Sequence, residues 1–194
     1  RGIWTKELPA ISLLDATVGL IVLGTVGRCL LDLLAPFGTR VLVYDPYLPA
    51  DVLAPWPNAE AATFEEALGA EAVSVHASQT PETYHMIDEA AFSRMRDGAV
   101  FINTARGSLV DTRAAAKMIP EKRLRAAFDV YERENGPQDA LAGLDSVLLQ
   151  PHIAALPAGV KMTEEIIKDI RRFLRGEDPL LSVPYEKFLY MTKE

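Results

Sequence analysis

Residues 17–28, TVGLIVLGTVGR, and the run Val41-Leu42-Val43-Tyr44-Asp45 that follows them decide how this chain folds. The first run opens on β-branched and aliphatic residues without alternation, the pattern of a strand buried on both faces. Gly24 and Gly27 then punctuate a turn into a helix, and the second run is another buried strand that ends in an acid. Strand, glycine turn, helix, strand, acid is the order in which an α/β sheet holds an adenine dinucleotide. The fingerprint G-x-G-x-x-G is matched at Gly24 and Gly27, but Val22 stands where its first glycine belongs. An ordinary strand-to-helix turn therefore competes with a nucleotide turn, and the rest of the chain discriminates between them.

Outward from this unit, strands and helices alternate. Val26, Leu30, Leu33, Leu34 and Phe37 recur at helical spacing after the turn, with Gly38 as the helix stop. The second strand is Arg40 to Tyr44, and Pro46, Pro49, Pro55 and Pro57 mark a loop over its end. Thr63 and Glu66 form a capping box for a short helix, and Ala72 to His76 is a third strand. A turn and helix within Pro81–Arg94 lead to a strand at Ala99–Asn103, a helix at Asp111–Met118, and strands at Arg125–Phe128 and Ser146–Leu149. Ala158 to Arg175 is a longer helix, with Ile166, Ile170, Phe173 and Leu174 on one face and Gly176 after it. This alternation over nearly the whole length predicts an α/β fold with a doubly wound parallel sheet.

Composition narrows the class. At 194 residues, 49% hydrophobic and 24% charged, the chain is long enough for a real core. Its formal charge of −7 argues against a nucleic-acid partner, because phosphate binding needs clustered Lys and Arg. The basic stretches Lys117–Arg125 and Lys168–Arg175 are interleaved with acids and read as solvated helix faces. No apolar run approaches a membrane span. The single cysteine, Cys29, excludes an internal disulfide, the spacing offers no metal cluster, and a reducing, cytoplasmic setting is the default expectation. Cys29 sits in an apolar helix, which predicts a small buried residue.

Polar groups fall just beyond four of the expected strands, where open α/β sheets place their ligands. Asp45 ends the second strand 18 residues after Gly27; a carboxylate there accepts ribose hydroxyls and repels a 2′-phosphate, favouring NAD over NADP. The competing role for Asp45 is a loop cap before Pro46. Arg106, in the run Asn103-Thr104-Ala105-Arg106-Gly107, can grip a carboxylate through its bidentate fork, or pair on the surface with an acid such as Asp111. Asp129, Glu132 and Glu134 follow one strand and His152 the last one; an imidazole beside a carboxylate is suited to proton exchange near neutrality.

The segments VSVHASQTPETYHMI, MRDGAVFINTARGSLVD, AAFDVYERE and LLQPHIA resemble the NAD-dependent D-isomer-specific 2-hydroxyacid dehydrogenases, the family that includes D-lactate, glycerate, phosphoglycerate, formate and phosphite dehydrogenases. The resemblance runs from about Thr17 to Arg175. It implies a Rossmann-type NAD-binding domain at residues 16–175, a lead-in at 1–15 and a tail at 176–194 that connect to a substrate domain largely missing from this chain. It implies that Arg106 binds the substrate carboxylate, that His152 is the acid/base, and that Glu134 pairs with it. It places Gly24, Thr25, Val26, Gly27 and Asp45 along the cofactor's adenosine and pyrophosphate. His76, Thr104, Ala105, Arg106, Asp129, His152, Ala154 and Ala155 fall to the nicotinamide side, and no residue to a metal. The implied substrate is a small 2-hydroxy or 2-oxo acid, and the implied assembly a homodimer through this domain, with Pro81–Arg94 among the contacts.

Several positions depart from the family pattern. Val22 predicts an altered turn or a displaced cofactor, since valine disfavours positive φ. Asn135-Gly136-Pro137 follows Glu134 where proline is common, and Ala155-Leu156-Pro157 stands where glycine and small polar residues are common. With half the cleft missing, the 194 residues are expected to bind NAD(H) and to turn over poorly. The resemblance also admits an NAD(H)-sensing module like the corepressors of this fold, and a formate- or phosphite-oxidising relative.

Overall fold

The computed structural model describes residues 12–49, 51–134, 139–155 and 159–188. Most of the lead-in (residues 1–11), Asn135-Gly136-Pro137, Leu156-Pro157 and Ala158 lie outside them. Seven strands, β1 (Thr17–Ile21), β2 (Arg40–Tyr44), β3 (Ala59–Ala61), β4 (Ala72–Val75), β5 (Val100–Asn103), β6 (Arg125–Phe128) and β7 (Val147–Leu149), form one sheet in the order β3-β2-β1-β4-β5-β6-β7. Every pairing is parallel. The helices are α1 (Thr25–Leu34), α2 (Phe64–Leu68), α3 (Glu89–Arg94), α4 (Thr112–Glu121), α5 (Asp139–Ala142), α6 (Gly159–Leu174) and α7 (Tyr185–Phe188). This is the expected doubly wound architecture, and the strand order reverses between β1 and β4.

The two faces of β1 show why the sheet forms. Side chains alternate across a strand, so Val18 and Leu20 join Leu31, Leu34, Val41 and Val43 beneath α1. Ile21 faces the other way, into the larger core with Val73, Val75, Phe92, Phe101 and Phe128. Gly19 shares that second face, and a Cβ there would lie 1.8 Å from the carbonyl oxygen of Ala67. Helix α2 can approach β1 this closely only because residue 19 has no side chain. The approach is fixed from the other end by the capping box of Thr63, whose hydroxyl accepts from Glu66 N while the Glu66 carboxylate accepts from Thr63 N.

Several expectations are corrected. Helix α1 buries Gly27, Leu31 and Leu34 and leaves Val26 and Leu33 exposed, and it stops before Phe37, which lies exposed in a short 3-10 turn at Ala35–Phe37. The stripe that meets the sheet is one residue out of phase with the most apolar one. Cys29 is consequently exposed, on the outward side of the same helix. Strand β3 was legible only as loop, because Ala-Glu-Ala carries no β-branched residue and owes its conformation to pairing with β2. Helix α6 has the predicted length, but none of its residues is buried, and Ile166, Ile170, Phe173 and Leu174 face solvent. The basic stretches are paired with acids as expected: Lys117 with Glu89, Lys122 and Arg123 with Asp97, Arg175 with Glu177. No helix among the described residues is long and apolar enough to cross a membrane.

Val22 makes the turn in a glycine-like conformation. Its φ is +71°, and its N–H donates to Tyr44 O at 2.7 Å. The valine bears this left-handed backbone at a cost of about 1–2 kcal/mol. Replacing Val22 by glycine removes that strain but also forfeits half-buried side-chain packing, so the informative comparison is between two variants that both lose the isopropyl group. Val22→Gly is expected to exceed Val22→Ala in stability by about 1 kcal/mol in urea unfolding; equality would show that residue 22 is not held left-handed. Gly19→Ala is expected to cost about 3 kcal/mol, since backbone must move on one side or the other; a loss below measurement would place α2 farther from β1.

Candidate active site

Parallel strands all end at one edge, and the candidate residues lie along it in strand order. Asp45 follows β2, Gly24 follows β1, His76 follows β4, Arg106 follows β5, Asp129 and Glu134 follow β6, and His152 follows β7. At roughly 4.8 Å per strand this row spans about 24 Å, and it crosses the reversal of strand order between β1 and β4, where such sheets bind ligands.

At the β1 end, Gly24 is the N-cap of α1. No side chain caps the helix, its first turn has no acid, and a Cβ at Gly24 would meet nothing within 4 Å. The open amides of Thr25, Val26 and Gly27 and the empty space over Gly24 fit a pyrophosphate. Gly27 is buried, where a Cβ would press on Leu20 and Leu23 at 3.3 Å, so its role is helix packing. Asp45 accepts from Leu23 N at 3.0 Å through Oδ2 and from Tyr47 N at 2.9 Å through Oδ1. It is thus the loop cap considered above, and each oxygen keeps a lone pair for a ribose hydroxyl.

Past β4, the His76 ring is half-buried with Nε2 2.9 Å from Ser74 Oγ, and burial holds its pKa below the ordinary 6.5. Past β5, the buried Asn103 shapes the turn: its Oδ1 accepts from Ala105 N and its Nδ2 donates to Arg106 O. Thr104 and Arg106 are exposed on that turn, and Arg106 Nη1 donates only to Ala105 O among the bonds described. Asp111 does not take Arg106; it caps α4 by accepting from Arg113 N and Ala114 N.

Past β6, Asp129 is 4% exposed and accepts from Ile153 N at 2.8 Å and Ala154 N at 3.0 Å. Its carboxylate therefore holds the segment that carries His152, whose φ is +55°. Glu134 Oε2 lies 3.4 Å from His152 Nδ1, an ion-pair distance longer than a tight hydrogen bond, and both side chains are open to solvent. Tyr131 ties the two together. Its N–H donates to Glu134 Oε1, and its hydroxyl lies 2.6 Å from Gln150 O and 3.2 Å from Phe128 O. Ala155 is exposed beyond Ala154. Sequence reasoning assigned no role to Tyr131 or Asn103, since their partners are backbone atoms that no motif spells out. Among the described residues, no group of three or more His, Cys, Asp or Glu is placed to hold a metal ion.

The depressed His76 pKa makes a prediction with a defined sign. The unfolded chain takes up this proton near pH 6.5 and the folded chain only below it, so His76 erodes stability as pH falls through that window. His76→Gln is expected to shrink the difference between urea midpoints at pH 7.5 and 5.5; an unchanged difference would mean that the ring is solvated.

Comparison with known proteins places the fold in a family. The family model described as D-isomer specific 2-hydroxyacid dehydrogenase, NAD binding domain, matches residues 1–154. Glyoxylate reductase of Thermofilum pendens is 36% identical over 188 residues, covering 92% of this chain and 56% of that protein. (S)-sulfolactate dehydrogenase of Chromohalobacter salexigens is 38% identical over 145 residues, 73% of this chain and 47% of that protein. The crystal structure of D-lactate dehydrogenase with NAD+ from Lactobacillus jensenii superposes with a TM-score of 0.80 at 26% identity, over 94% of this chain and 59% of that one. The chain spans about half the length of these relatives. With the family model matched over most of its residues and the strand order in place, the chain belongs to the D-isomer specific 2-hydroxyacid dehydrogenase family, whose NAD-binding domain it forms.

Proposed function

We propose that the carboxyl edge of the sheet binds NAD(H) and serves hydride exchange at C2 of a small 2-hydroxy or 2-oxo acid. The observation that carries this reading is the Glu134–His152 pair beyond β6 and β7, with the Arg106 guanidinium exposed beyond the adjacent β5. Bound NADH supplies the hydride. Arg106 grips the substrate carboxylate through its two-pronged fork. His152, as imidazolium, gives its proton to the carbonyl oxygen as hydride reaches the carbon, and in the reverse direction takes the hydroxyl proton. Glu134 stabilises the imidazolium and fixes which ring nitrogen faces the substrate. Asp45 takes the adenosine ribose, the α1 amides the pyrophosphate, and Asp129 the nicotinamide side through the loop it holds.

We assign the opposite wall of the cleft to a substrate domain outside these residues, docked on the exposed face of α6 around Ile166, Ile170 and Phe173. A homodimer through this domain and a cytoplasmic setting belong to the same proposal. The test is a fluorescence titration of NADH. The 194-residue chain is expected to bind it, and Asp45→Ala to weaken binding by about 10-fold or more, the worth of hydrogen bonds to a charged group. Arg106→Gln and His152→Gln are expected to leave NADH affinity largely intact. Absence of binding by the unmodified chain would overturn the cofactor assignment; binding insensitive to Asp45→Ala would overturn the role of Asp45. Reduction of glyoxylate, pyruvate or hydroxypyruvate is expected to be slow without the second wall, and full turnover by this chain would overturn that part.

A further inference from the structure

A second cluster of side chains lies on the far flank of the loop that carries Glu134. Glu132 Oε1 is 2.6 Å from His85 Nε2, and Glu132 Oε2 accepts from the Thr112 hydroxyl at 2.6 Å. Burial pushes the Glu132 carboxyl up, but the Thr112 and His85 hydrogen bonds and the His85 charge outweigh it, and it titrates below its ordinary value. Glu132 is therefore an acceptor only, and His85 must carry its proton on Nε2.

His85 is itself immobilised. Its ring stacks on Tyr84 with centroids 3.9 Å apart, its backbone N–H donates to Ser108 O, and its φ is +52°. A non-glycine residue held left-handed persists only where its surroundings over-determine it. The third contact is backbone on backbone: a Cβ at Gly107 would lie 1.9 Å from the carbonyl carbon of Tyr131, so the residue after Arg106 is pressed against the Tyr131–Glu132 peptide. A cavity of about 650 Å³, lined in part by His85, Ser108, Thr112 and Glu132, opens beside the cluster. Tyr131 packs on the core at the start of the loop, and with that space on the flank of Glu132, the side chain of residue 132 is held by its hydrogen bonds.

We propose that Glu132, anchored by His85 and Thr112, is a positioning residue that sets Glu134 against His152. The inference rests on the assignment of Glu134 and His152 above. Glu134 is two residues from Glu132, and its other oxygen is held by Tyr131 N. Tyr131 is thus clamped between Gly107 on one side and the Gln150 carbonyl on the other. Releasing Glu132 frees the loop to rotate about Tyr131 and draws the Glu134 carboxylate away from a ring that it meets at only 3.4 Å.

The chain has three histidines, so imidazole NMR resolves His76, His85 and His152 as separate signals, each assigned by its own substitution with glutamine. At one pH near neutrality, Glu134→Gln defines the position of the His152 signal without its partner. Glu132→Ala is expected to carry the His152 signal at least half of the way there, and His85→Gln to move it in the same direction. Glu132→Gln keeps the side-chain length and an acceptor for Thr112, and is expected to return most of the displacement. An unmoved His76 signal certifies the fold in each variant. A His152 signal that follows Glu134→Gln but ignores Glu132→Ala and His85→Gln overturns the positioning role alone. One that ignores Glu134→Gln removes the pair and overturns both readings.

Discussion

Asp129 is a carboxylate almost without access to water, and an ion in such a place is tolerable only when its oxygens are satisfied. Two consecutive amides, those of Ile153 and Ala154, satisfy it. The arrangement is reciprocal: the end of β6 needs donors, and the segment after β7 needs an acceptor to hold its irregular backbone. His152 enters that segment left-handed, with no helix or strand to fix it. The direction in which its imidazole points is therefore set by an acid 23 positions earlier in the chain. The placement of the His152 ring depends on those bonds before it depends on Glu134.

The same logic recurs at the β1–β2 end. Asp45 holds Leu23 N, and so pins the turn on which the cofactor's pyrophosphate would rest. One carboxylate at each end of the row fixes backbone through main-chain donors. Such contacts pre-organise a site without occupying the groups that would touch a ligand, because a carboxylate offers more lone pairs than its two backbone donors use. Arg106 is held differently, through the Asn103 amide that bridges Ala105 N and Arg106 O, which leaves its guanidinium turned outward.

Much of this was legible in the sequence, and for a physical reason. β1 and β4 are buried on successive residues and announce themselves as aliphatic runs, while β2, β5 and β6 bury alternate residues and still fall within a residue or two of expectation. Polar residues just after such runs mark the ligand edge and bring forward Asp45, Arg106, Asp129, Glu132, Glu134 and His152 as candidates; the choice of Glu134 over Glu132 comes only from the family resemblance. What was not legible depends on partners. The Ala-Glu-Ala of β3 is a strand only because β2 offers it a ladder. The phase of α1 against the sheet, which exposes Cys29 and Val26, is chosen by the buried contacts of Gly27, Leu31 and Leu34 rather than by the stronger apolar residues beside them. Val22 looked like a defect in the nucleotide turn, and proves to be an ordinary residue in an uncommon conformation.

A sheet whose strands all run one way has two unlike ends. At the amino ends, Glu71 accepts from Thr17 N, Arg96 reaches Glu71, and Asp97 meets Lys122 and Arg123. None of these groups lies on the row from Asp45 to His152. Strands of four or five residues separate the two ends by roughly 15 Å, farther than substitutions usually feel one another. Changes at the two ends should therefore combine additively. Loops at the carboxyl ends are free to vary without disturbing the ion pairs that hold the amino ends.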